Sequence, residues 1–182
     1  MLYILRHGKT DWNLEYRLQG QTDIPLNEEG IRSARQAGEQ YRDLPLDVCY
    51  CSPLQRAQDT ARLFLAGRDV PIITDDRLKE MSFGSYEGTA RVYSHPELPV
   101  YALFKDPVNY RAQNGAESFE QLYARTGEFL NQVARPAVAA GKNVLIVGHG
   151  ALLSCIYNQY HDVPLERFWD AIITNCQLLR LE

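Results

Sequence analysis

Two imidazoles, each one residue beyond the end of an apolar run, are the residues of this 182-residue chain best suited to covalent chemistry. His7 follows Leu2-Tyr3-Ile4-Leu5 within Arg6-His7-Gly8, and His149 follows Val144-Leu145-Ile146-Val147 within Gly148-His149-Gly150. A neutral imidazole nitrogen can attack phosphorus when a hydrogen bond at the other nitrogen fixes the tautomer. Arg6 and Arg56 add planar guanidinium forks, which match the oxygens of a phosphate monoester better than they suit a metal ion. His7, flanked by Arg6 and Gly8, is the better nucleophile candidate.

The elements that must position these groups are legible from apolar patterning. Four consecutive apolar residues before each histidine read as central strands of a covered parallel sheet, and glycine lets the backbone turn away. In open α/β sheets ligands bind beyond the carboxyl ends of the strands, so His7 and His149 can meet although far apart in sequence. Asn27, followed by Glu28 and Glu29, caps a helix with small or apolar positions through Tyr41. Asp47 to Cys51 reads as a strand, and Ser52-Pro53 as the cap and first position of the next helix; Ser52 is also within reach of the network around His7. Val70 to Thr74 is a short edge strand because Pro71 cannot donate inside a sheet. The pattern from Glu117 to Val138 predicts a long amphipathic helix, Ala151 to about Tyr160 another, and Cys176 to Leu181 a closing strand. The expected architecture is a three-layer α/β/α sandwich with a mainly parallel central sheet.

Between Leu78 and Asn114 the signal weakens at Gly84, Gly88, Pro96, Pro99 and Pro107. Residues 85–114 are therefore expected to form a lid-like insertion within a single domain spanning 1–182. Tyr86, Tyr93, Tyr101, Phe104 and Tyr110 lie there, interspersed with Arg91, Lys105 and Arg111. Such aromatics either tie the insertion to the core or contact the non-reacting part of a ligand.

The bulk numbers exclude several classes of function. A hydrophobic content of 45% and a charged content of 23% are those of an ordinary globular protein, not of a disordered or fibrous one. A net charge of −4 favours neither nucleic acid nor anionic membrane as a partner, so an anionic ligand must be held by a local cluster of cations. Cys49, Cys51, Cys155 and Cys176 lack CxxC spacing and read as buried thiols, which points to a reducing compartment. No apolar run approaches a membrane span and no removable leader precedes the first strand, so the expected location is cytoplasmic. Asp11, His95 and His161 lack close metal-ligand spacing, the two histidines being expected on solvated connections. Gly8-Lys9-Thr10 lacks the glycine frame of a nucleotide cradle, and the chemistry itself requires neither metal nor organic cofactor. A homo-oligomer stays open.

Four ordered blocks sharpen this reading: Arg6-His7-Gly8-Lys9-Thr10-Asp11-Trp12-Asn13, Cys51-Ser52-Pro53-Leu54-Gln55-Arg56-Ala57, Leu78-Lys79-Glu80-Met81-Ser82-Phe83-Gly84-Ser85-Tyr86-Glu87-Gly88 and Val147-Gly148-His149-Gly150. Together they resemble the histidine phosphatase superfamily, in its branch related to cofactor-dependent phosphoglycerate mutase. The resemblance implies a phosphoglycerate mutase-like fold in which His7 is transiently phosphorylated and Arg6, Arg56 and His149 clamp the phosphate. It makes Glu80 the acid that protonates the departing alcohol, a transfer generally contributing about 10²–10⁴-fold. His149 would act either as a cationic clamp or as a neutral hydrogen-bonded partner. Substrate-binding positions would be Arg6, Thr10, Asn13, Gln19, Gly20, Arg56, Glu80, His149 and Gly150.

Departures from that pattern bear on the outcome. Met81 stands where mutases carry a carboxylate-binding arginine, Gln19 replaces a small hydroxyl residue, and the stretch from Gly88 to Gly115 is short beside a mutase lid. A shorter lid admits water to the phosphoenzyme, so hydrolysis of a small phosphorylated metabolite is expected. α-Ribazole 5'-phosphate is one such substrate, since aromatic lid residues could stack on a heterocycle. The alternatives are a phosphoglycerate mutase and a non-catalytic adaptor that binds phosphorylated ligands.

Overall fold

The computed structural model describes residues 1–181, and the sheet at its centre is arranged as the apolar runs require. Among the described residues the elements are β1 (Leu2–Arg6), α1 (Asp11–Leu14), α2 (Glu28–Gln40), β2 (Val48–Cys51), α3 (Gln55–Phe64), β3 (Ile72–Thr74), α4 (Tyr101–Lys105), α5 (Phe119–Phe129), α6 (Arg135–Ala139), β4 (Val144–Gly148), α7 (Gly150–Tyr160) and β5 (Leu178–Arg180). The strand order is β3-β2-β4-β1-β5. Four strands run parallel and β5 joins β1 antiparallel at one edge.

Alternation along the strands divides the core into two layers. Leu2 and Ile4 of β1 and Val144 and Ile146 of β4 face α5 and α7, where Leu122, Phe129, Leu152 and Ile156 pack on them. Tyr3, Leu5, Leu145 and Val147 face the opposite way, onto Ala37 of α2 and Ala57, Ala61 and Phe64 of α3. The three-layer α/β/α sandwich expected from the sequence is therefore the observed fold. In the parallel register Arg6 stands opposite Gly148, and the His7 N–H donates to the Gly148 carbonyl at 2.9 Å. Both histidines consequently leave the sheet at the same level and on the same end.

The helix starts follow their caps. Asn27 accepts from the Gly30 N–H at 2.9 Å, with Glu28 and Glu29 in the first turn. Two expectations need correction. Ser52 does not cap α3, whose cap position is Leu54; the Ser52 hydroxyl instead accepts weakly from the Leu54 N–H at 3.3 Å while meeting His149. The helix expected over 117–138 starts only after Ser118 and then runs unbroken to Ala139, but its middle, Leu130–Ala134, is a five-residue π-helical turn between α5 and α6. Pro136 is the physical reason: it has no N–H for the carbonyl four residues back, and a wider turn takes up the mismatch.

Residues 85–114 contain short helical turns around α4, and Val92, Val100 and Leu103 are buried in the same core as α5 and α7. Tyr86 and Tyr110 are buried ties of the first kind, Tyr110 meeting Phe119 edge-on. No described helix is long and apolar enough to cross a membrane.

Candidate active site

β1 delivers Arg6 and His7 to one end of the sheet, and side chains from α3 and from the stretch before β5 hold the turn that follows. Asn175 donates its side-chain N–H to the His7 carbonyl at 2.8 Å, and Thr60 accepts from the Gly8 N–H at 2.9 Å. The His7 ring is buried, with Nδ1 at 2.6 Å from the Gly8 carbonyl oxygen. A carbonyl can only accept, so Nδ1 carries the proton and Nε2 keeps its lone pair. Burial first, then the charges of Arg56 and Arg6, hold His7 well below the ordinary imidazole range, so the ring is neutral at neutral pH.

The two guanidinium groups are anchored by peptide carbonyls and not by carboxylates. Arg6 donates to the Ile173 carbonyl at 2.8 Å, and its guanidinium lies beside Gly150. Arg56, fully buried in the first turn of α3, donates to the Gly20 and Thr22 carbonyls at 2.6 and 2.8 Å. The Nε atoms of both arginines are buried without a protein partner. Burial pushes Arg56 down to about 10, against the opposing fields of Glu80, Asp23 and Glu87. Two desolvated cations with unused donors are suited to an oxyanion.

Glu80 reaches the N-terminus of α7. Its carboxylate accepts from the Met81, Leu152 and Ala151 N–H groups at 2.8, 2.9 and 3.1 Å, where the helix leaves backbone donors unpaired. His149 occupies the cap position of α7, its ring centroid 5.1 Å from that of His7 and its Nε2 2.8 Å from Ser52 Oγ. Burial, followed by the fields of Arg56 and His7, holds His149 well below the usual range, which favours a neutral ring over a cationic clamp.

These groups open on a cavity of about 370 Å³. Arg6, His7, Asn13, Gln19, Gly20, Arg56, Glu80 and Gly150 line it, while Thr10 and His149 lie fully buried behind the wall. Thr10 is engaged in a capping box with Asn13 at the start of α1. The far side is formed by Leu18, Phe83, Phe104, Trp169, Ile172 and Ile173. His95 and His161 are exposed and do not line this cavity.

The family model described as histidine phosphatase superfamily (branch 1) matches residues 2–182. The chain belongs to the histidine phosphatase superfamily. Among its relatives, a 2,3-bisphosphoglycerate-dependent phosphoglycerate mutase 2 of Gloeobacter violaceus is 34% identical over 97% of the chain and 82% of the relative. The adenosylcobalamin/alpha-ribazole phosphatase of Salmonella typhimurium is 32% identical, covering 92% and 83%. Among solved structures, YhfR of Bacillus stearothermophilus superposes with a TM-score of 0.86 at 31% identity, over 96% of this chain and 86% of the other.

Some residues that shape the site gave no local signal in the sequence. Arg125 of α5 donates to both Glu117 oxygens, at 2.6 and 2.9 Å, and to the carbonyls of Arg77, Lys79 and Glu80 at 2.6, 2.8 and 3.1 Å. It thereby ties the loop that carries Glu80 to α5. Trp169, Ile172 and Ile173 lie in an irregular stretch before β5, where no periodicity marks them. Of the aromatics singled out in the insertion, Phe104 reaches the cavity, stacked on Trp169 with centroids 5.3 Å apart.

Proposed function

We propose that this histidine phosphatase hydrolyses a small phosphomonoester through a phosphohistidine formed on His7. The observation that carries the reading is the Nδ1–H to Gly8 carbonyl bond, which leaves Nε2 unprotonated in a cavity walled by two desolvated guanidinium groups. His7 Nε2 attacks phosphorus and the bond to the substrate's bridging oxygen breaks, while Glu80 gives its proton to the departing alkoxide. Arg6 and Arg56 stabilise the charge that develops on the transferred oxygens. Water then attacks the phosphohistidine, Glu80 takes a proton back, and His7 and inorganic phosphate are released. His149, neutral and held by Ser52, packs against the nucleophile.

Hydrolysis is favoured over mutase chemistry by the wall opposite the phosphate site. Met81 is fully buried. Arg17, the one further cation on the cavity among the described residues, donates to Glu15 and to the Gly88 carbonyl. A phosphoglycerate carboxylate would have to share Arg17 with Glu15, whereas Phe83 and the Phe104–Trp169 stack suit a planar or apolar leaving group. α-Ribazole 5'-phosphate has that character, and the name of the Salmonella relative supports it as the first substrate to try.

The test is phosphate release from a panel containing α-ribazole 5'-phosphate, 2- and 3-phosphoglycerate, sugar phosphates and p-nitrophenyl phosphate. Release from at least one member is expected, together with an acid-labile phosphoenzyme, and His7→Ala should abolish both while remaining folded. Phosphoryl transfer between phosphoglycerate positions exceeding phosphate release would make the protein a mutase. Saturable phospho-ligand binding without turnover of any member would make it an adaptor.

A further inference from the structure

The orientation of Arg56 depends on a loop with no regular structure of its own. Beyond one isolated bridge, Arg17 to Ala90, residues 17–27 contain neither helix nor strand, yet the Gly20 and Thr22 carbonyls are the acceptors for the two terminal nitrogens of Arg56. Loops of this kind keep their shape only when other groups over-determine it. Something outside residues 17–27 must therefore supply the rigidity that the phosphate clamp needs.

Glu87 meets that requirement. Its Oε1 accepts from the backbone N–H of Gln21 at 3.0 Å and of Phe83 at 3.1 Å. Its Oε2 accepts from the Thr22 N–H at 2.9 Å and from the Thr22 hydroxyl. The carboxylate rests against Gly20, whose φ is +55°, so closely that any side chain at position 20 would overlap it. Two backbone bonds extend the clasp, from the Gly88 N–H to the Leu18 carbonyl at 2.8 Å and from the Leu18 N–H to the Thr89 carbonyl at 3.0 Å. All four donors to Glu87 are neutral, and Glu87 is not part of the cavity wall.

We propose that Glu87 is a positioning residue for the phosphate clamp, acting through the Gly20–Thr22 loop to aim the Arg56 guanidinium at the anion. This rests on the reading of the cavity as a phosphate site. The order of contacts is carboxylate to loop amides, loop carbonyls to guanidinium, guanidinium to ligand. The same carboxylate also holds Gln19 and Gly20 against the cavity, since both belong to the clasped segment. A carboxylate suits the role better than an amide, because two backbone N–H groups on one oxygen and an N–H with a hydroxyl on the other need acceptors on both sides.

Calorimetric titration of orthophosphate separates this proposal from the phosphatase reading, because it needs no turnover. Glu87→Ala is expected to weaken orthophosphate binding about tenfold, the order of one lost charge-assisted hydrogen bond. Glu87→Gln, which retains an acceptor on one side only, should fall between wild type and Glu87→Ala, and covers the case in which the alanine variant does not fold. In an Arg56→Ala background, adding Glu87→Gln should change phosphate affinity less than about twofold, as expected for residues acting in series. A merely structural role would lower the melting temperature or the competent fraction and leave the dissociation constant of the folded protein unaltered. Wild-type affinity in folded Glu87→Gln overturns the proposal, and so do effects that multiply between Glu87→Gln and Arg56→Ala. Failure of wild type itself to bind orthophosphate removes the phosphate site, and the proposal with it.

Discussion

Replacing Arg125 with methionine isolates what the Glu80 support contributes. All five guanidinium N–H donors are committed, two to Glu117 and three to the carbonyls of residues 77, 79 and 80. Methionine fills similar space but makes none of these bonds. Breaking a fully buried ion pair costs about 3–5 kcal/mol, and exposed pairs contribute about 0–1 kcal/mol. The Arg125 and Glu117 side chains are 19% and 12% exposed. Discounted for that partial solvation, a loss of about 2–4 kcal/mol is expected, or a fall in Tm of about 5–15 °C for a chain of this size. Thermal unfolding and urea titration measure this directly.

Kinetics distinguish support of Glu80 from general destabilisation. If the segment 77–80 drifts, proton delivery suffers most where the leaving alcohol is least acidic. At a temperature where Arg125→Met is fully folded, its kcat/KM should fall about tenfold more for an alkyl phosphate than for p-nitrophenyl phosphate. Replacing Glu117 by methionine as well should recover part of the stability, because no carboxylate is then left unpaired. The leaving-group dependence should not recover, since the three carbonyls remain unheld. A Tm within about 2 °C of wild type, or equal slowing of both substrates, would refute the argument from these five bonds.

Two further outcomes follow from burial and close packing. His7 and His149 are both held well below the ordinary imidazole value of 6.5, so in the window below 6.5 the unfolded chain binds protons that the folded one does not. Stability should therefore fall on acidification through that window, by at most about 1.4 kcal/mol per pH unit for each ring, and His149→Gln should shallow the slope in urea titrations at pH 5 to 7; an unchanged slope would count against it. Gly38 of α2 approaches α3 so closely that a Cβ would lie 2.6 Å from the Phe64 carbonyl oxygen. Gly38→Ala should destabilise by about 1–3 kcal/mol in the same assay, against the gain of about 1 kcal/mol that alanine brings to an unhindered helix.

The strands, their burial and the ends that carry His7 and His149 were legible in the linear chain because each is a local property. An apolar run that stops at Arg6-His7-Gly8 or Gly148-His149-Gly150 marks both a covered strand and its reactive end, and Asn27 announces α2 through its own cap. What the linear chain could not convey is register and reach. Parallel pairing of Arg6 with Gly148 brings the two imidazoles level, and nothing near either histidine encodes that alignment. Ser52 read as a helix cap because a serine before proline usually is one, until His149, distant in sequence, supplied a competing partner at 2.8 Å. Arg125 and Glu87 meet the site only across tertiary contacts and Trp169 lines the cavity from an irregular stretch, so no periodicity in the linear chain assigns any of the three a place there. Chemistry is written in residue types close together along the backbone, but aim comes from groups that folding alone makes adjacent.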